Sequence, residues 1–72
     1  MIIRDEAQRR FFSYEDGIFK NPYDKEVKVT RVAFLNTKRD YYDAILLFTE
    51  GRDEPYVFNV SVETCSNFKQ TF

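Results

Sequence analysis

Apolar and polar residues alternate most strictly from Tyr56 to Glu63, where Tyr56, Phe58, Val60 and Val62 interleave with Val57, Asn59, Ser61 and Glu63. A period of two marks a half-buried strand, with Phe58 and Val60 expected inside and Asn59 and Ser61 outside. Pro55 precedes it, where a missing N–H does least harm. Between Val27 and Leu35 the apolar set changes sides: Val27 and Val29 share one face, Val32 and Phe34 the other. A strand does this when it carries a β-bulge near Thr30–Arg31 or passes from half-covered to fully covered. Tyr41–Thr49 is apolar on both faces, Ile45 and Leu47 against Ala44, Leu46 and Phe48, which reads as a central strand. The alternative is a helix with Asp40 as N-cap, Asp43 three residues on and Gly51 at its end. Paired tyrosines, short length and turn-rich flanks favour the strand.

The N-terminal third follows a different rhythm. Ile3, Ala7 and Phe11 fall at i, i+4, i+8, and Asp5–Arg9 and Glu6–Arg10 add acid-before-base pairs at i, i+4, a pattern that predicts a short helix. Phe12 to Lys20 reads as a tight hairpin around Asp16-Gly17, with Tyr14 facing Phe19; its rival is a helix running on to a Gly17 C-cap. Asn21-Pro22-Tyr23-Asp24 forms the next turn. Residues 64–72 are expected as an edge strand or a docked tail. The fold class is therefore α+β to all-β. A small antiparallel meander of three main strands, Val27–Leu35, Tyr41–Thr49 and Tyr56–Glu63, carries a short N-terminal helix and/or hairpin over one face, with a partly open barrel as a variant. Residues 1–72 are expected to form a single domain, since so short a chain has no room for two cores.

Length sharpens the question of stability. A domain of this size buries only about 60% of its unfolded surface, so it commonly relies on disulfides, a metal or a partner. A lone Cys65 and the absence of histidine leave no internal disulfide and no Cys/His zinc site. Eight Phe and five Tyr can supply the missing core, each ring burying on the order of 150–250 Å². Eleven basic against twelve acidic residues give no global attraction to phosphate backbones or anionic membranes. Arg4, Asp5 and Glu6 break the apolar start, so no signal peptide is expected, and no apolar run approaches a transmembrane span. With a single cysteine, the expected location is the cytoplasm.

Candidate chemistry is sparse. Without histidine there is no imidazole base and no nucleophile–His pair, and two glycines, Gly17 and Gly51, make no phosphate loop. Cys65 reads as a small core hydrophobe. Asp40 with Asp43, and Asp53 with Glu54, are the closest carboxylate pairs, and both suit solvated turns better than a metal or catalytic site. No enzyme, cofactor or metal is expected. The expected function is protein binding, as an inhibitor, adaptor or accessory subunit of the kind mobile elements carry. It rests on aromatic residues outside the predicted meander core, Phe11, Phe12, Tyr14, Phe19 and Tyr23, and on Phe68 and Phe72 in a polar tail, either a lid on their own core or anchors for a partner. A sheet edge would also allow a homodimer. The alternative is single-stranded nucleic-acid binding by Lys25, Lys28, Arg31, Lys38 and Arg39 with Tyr41 and Tyr42. Asp24, Glu26, Asp40 and Asp43 dilute that set, and Lys28 shares a face with Arg31 only if the bulge realigns them.

Overall fold

The computed structural model describes residues 1–20, 25–38 and 41–70. It is an open antiparallel sheet of six strands in sequence order, followed by one short helix. The strands are β1 (Ile2–Asp5), β2 (Arg10–Glu15), β3 (Ile18–Lys20), β4 (Glu26–Asn36), β5 (Tyr42–Thr49) and β6 (Tyr56–Ser61), and the helix is α1 (Val62–Lys69). The sheet curls until the end of β1 reaches β6, where the Glu6 N–H donates to the Asn59 carbonyl at 2.7 Å. No ladder joins these two strands among the described residues. No helix among those residues is long and apolar enough to cross a membrane.

The three strands of the predicted meander are present as β4, β5 and β6. Register slips between Val29 and Arg31, so of the two readings of the change of apolar side, a bulge or a change of cover, the strand has the bulge. Val27 and Val29 before it and Val32 and Phe34 after it pack on the same core. Thr30 Oγ1 donates to the Phe48 carbonyl at 3.2 Å across the irregularity. The hairpin is also present. Asp16 and Gly17 both have positive φ, 50° and 79°, as a two-residue type I′ turn requires, and Tyr14 lies opposite Phe19.

The N-terminal helix is replaced by β1, a turn and β2. Ile3 pairs with Phe12 and Asp5 with Arg10, so Ile3 goes inward while Phe11 points out at 68% exposure. The carboxylate of buried Asp5 accepts from the Ala7 N–H at 2.9 Å and the Gln8 N–H at 3.3 Å, closing the turn that a helix would have run through. A segment this short is marginal as a helix on its own, and ladder bonds plus burial of Ile3 and Phe12 outweigh a few tenths of a kcal/mol from each i, i+4 pair. At the other end, β6 stops at Ser61, two residues short of the expected Glu63. The tail, expected as an edge strand or loosely docked, is helical to Lys69. Ser61 is the N-cap, its Oγ accepting from the Thr64 N–H at 3.2 Å, with Glu63 in the first turn and Lys69 in the last, each favourable to the helix dipole. Val62 leaves the sheet and is exposed.

One cluster fills the interior: Ile3, Phe12, Phe19, Ile45, Leu47, Val60, Cys65 and Phe68. Phe12 stacks on Phe58 at 4.0 Å and meets Phe19 edge-on at 5.5 Å. Phe68 carries α1 onto the sheet, edge-on to Tyr14 at 5.1 Å and to Phe34 at 6.0 Å.

Candidate functional site

Of the rings expected at a binding surface, Phe12, Phe19 and Phe68 are buried in the core and Tyr14 packs against Phe68. That corrects their assignment as surface anchors. Six strands enclose a larger interior than three, and it consumes the aromatic surplus. Phe68 is a lid on its own core. Phe11 remains exposed, with the Arg4 guanidinium 6.0 Å from its ring centroid. Tyr23 and Phe72 lie outside the described residues.

The basic set does not gather. The bulge does bring Lys28 and Arg31 to one side, since Val27, Val29 and Val32 all face the core. Lys28 is ion-paired with Glu50 at 3.9 Å, and the Arg31 guanidinium lies over the Phe48 ring at 4.1 Å. Lys25 precedes β4 and Lys38 follows it, at opposite ends of an eleven-residue strand. Tyr41 is exposed and Tyr42 half-buried near the Lys38 end; Arg39, Asp24 and Asp40 lie outside the described residues. Cys65 is 1% exposed, and burial is the main reason its thiol titrates above the ordinary range; Asp43 adds to the effect and Lys69 opposes it. A thiol held protonated in a core is a poor nucleophile.

The surface that stands apart is the outward side of β4, β5 and β6. Cross-strand register sets its rows: Arg31 beside Phe48; Ala33, Leu46 and Val57; Leu35, Ala44 and Asn59; Tyr42 and Ser61. Side chains directly opposite in an antiparallel pair share a face, and these alternate with the core residues Ile45, Leu47 and Val60. Arg31 is the single charge among these ten outward positions, although charged residues make up 32% of the chain. Leu35 is 56% and Val57 50% exposed. Ala44 is buried, because a methyl group sits below the level of Leu35, Leu46 and Asn59 around it. Phe48 is half covered by the Arg31 guanidinium, a cation–π contact that shields the ring at one corner. The outward side of β1 to β3 is different in kind, with Arg4, Glu15 and Lys20 exposed among Ile2, Phe11 and Ile18.

Sequence reasoning missed this face, though its signal was present in β5. A strand apolar on both sides implies cover on both sides, and the described residues cover only the inner one. No family model matches the chain, nor does any curated protein or solved structure.

Proposed function

We propose that this chain is a non-enzymatic protein-binding module that engages its partner through the outward face of β4–β6. The supporting observation is the charge-poor apolar surface there, with Leu35 and Val57 half exposed around Leu46. Apolar side chains scattered singly are ordinary on protein surfaces, whereas a contiguous apolar patch with a polar rim marks a contact site. Interface cores are depleted of charge in the way this face is. The polar rim is supplied by Arg31, Asn59 and Ser61.

Affinity-tagged protein expressed in its own host tests the reading. Wild type and a Phe11→Ser variant should recover the same partner, and a Leu35→Glu/Val57→Glu variant should lose it while keeping its unfolding midpoint. Retention of the partner by the double variant refutes the assignment of this face.

A further inference from the structure

Resting on that reading, we propose that the partner seated on the β4–β6 face is a second copy of this chain, in a two-fold dimer of stacked sheets. Charge left unpaired among the described residues frames an otherwise neutral face. Arg31 lies midway along β4, at the corner of the ten-position face, beside Phe48 near the end of β5. At the same end, Asp53 and Glu54 are exposed in the turn that leads into β6. Neither carboxylate joins an ion pair among the described residues, and Arg31 has only the Phe48 ring. Arg52 is turned away, its guanidinium 3.9 Å from the Tyr56 ring and its Nε–H donating to the Glu54 carbonyl at 2.9 Å.

Sheets that pack face to face align their strands to within about 30°. A two-fold axis lying between the faces and running close to β5 satisfies that rule. It sets β4 of each copy over the partner's β6, end matched to end. Each Arg31 then meets the partner's Asp53–Glu54 corner, twice per dimer, while Leu46 and Val57 fill the dry centre. An isologous contact must be self-complementary, and this face is neutral in the middle with opposite charges on corners that the axis exchanges. An axis across the strands would instead lay each Arg31 towards the partner's Asn36–Lys38 end and leave the acids unmet.

The size of the face sets the strength. Strands about 4.8 Å apart rising about 3.4 Å per residue give a footprint on the order of 350 Å² per copy. Stable complexes bury roughly 800 Å² per partner, so the dimer belongs at high-micromolar concentration.

Sedimentation equilibrium of the full chain from about 10 µM to about 1 mM reads this directly. Weight-average mass should climb from that of one chain toward two, and Val57→Lys should hold it at one. Arg31→Glu alone and Asp53→Lys/Glu54→Lys alone should each weaken association at least about tenfold, since like charges then meet at both corners. An equimolar mixture of these two variants should restore it, because both corners of the mixed dimer are again opposite in sign. Thermal unfolding of each variant confirms that it folds. Wild type of constant single-chain mass at 1 mM overturns the dimer, and so does a mixture no tighter than its components. A photo-crosslinking p-benzoylphenylalanine at position 57, in the host cell, separates this failure from that of the wider reading. A product of twice the chain mass supports the dimer. A product with a different protein overturns the dimer and leaves the binding face standing, and absence of any product overturns both.

Discussion

Thr49 shows what a single polar atom costs in an interior this small. Its side chain points inward at the end of β5, 5% exposed, and its Oγ1 makes no hydrogen bond among the described residues. A buried hydroxyl without a partner costs roughly 1–3 kcal/mol, and replacing it with an apolar group of the same shape recovers part of that. Thr49→Val should therefore stabilise the fold by about 1 kcal/mol in urea denaturation; a destabilised variant would show that the hydroxyl is satisfied after all. Cys65 makes the complementary point for a titrating group. Its folded pKa is raised, chiefly by burial, so the folded state holds the thiol proton more tightly than the unfolded chain does. The associated stability is fully present below the unfolded thiol pKa, about 8.5, and is lost as pH rises through the higher folded value. Tyr14 shifts in the same direction, through burial first and Asp16 second, and adds to the alkaline loss at higher pH. Cys65→Ser should flatten the decline that sets in above about pH 8.5 without disturbing partner binding. In the native protein at neutral pH, iodoacetamide should label the thiol only as fast as the chain unfolds. Rapid labelling of the folded protein would contradict the burial of this side chain.

At the level of elements, the sequence was most legible where its period was local and unbroken. Alternation placed β6, short length and turn-rich flanks favoured β5 as a strand over a helix, and the change of apolar side at Thr30–Arg31 offered a bulge in β4 as one of two readings. The hairpin was legible because Asp-Gly can meet a requirement for two positive φ angles that few other dipeptides meet. The failures are just as physical. Ile3, Ala7 and Phe11 mimic a helical stripe, yet the pairing that decides the segment is between Ile3 and Phe12, a contact that exists only once the chain has turned back. Val62 prolongs the alternation of β6 by one apolar residue, although Ser61 caps a helix there through the Thr64 N–H. Read as a surface strand position, Ser61 would tolerate alanine within about 0.5 kcal/mol. As an N-cap, its replacement by alanine should cost about 1 kcal/mol, and helical circular dichroism should fall with it. Phe58, stacked on Phe12 at 4.0 Å, should cost about 3–5 kcal/mol on truncation to alanine, most of the stability available to a domain of this length. Equal losses at Ser61 and Phe58 would contradict both the cap and the aromatic stack.

Over the whole molecule, the aromatic residues that suggested a binding surface are the means by which a 72-residue chain secures a core. Their surplus was measured against three strands, and the additional strands enlarge the interior they fill. The face that does stand uncovered was written into the two-sided pattern of β5, but which side the rest of the chain would cover depends on how β1 to β3 curl, and no local period encodes that. The curl also fixes how the molecule should unfold. Strand pairings all join neighbours in sequence, so each hairpin could in principle open alone. The core does not respect those boundaries: Ile3, Phe12 and Phe19 from the first three strands share one cluster with Ile45, Leu47 and Val60 from β5 and β6 and with Phe68 from α1. Opening the N-terminal strands strips cover from Phe58, and releasing α1 strips it from Tyr14 and Phe34. Neither half retains a closed interior alone, and a two-stranded hairpin is marginal in water. Denaturant unfolding should accordingly be two-state, with coincident transitions by far-ultraviolet circular dichroism and tyrosine fluorescence. Phe12→Ala should move both transitions together by about 3–5 kcal/mol, and native-state hydrogen exchange should find the slowest amides of β2 and β5 opening with the same free energy. Separate transitions, or β2 amides exchanging at low protection while β5 stays closed, would show that the β1–β3 layer is an independent flap and not half of a shared core.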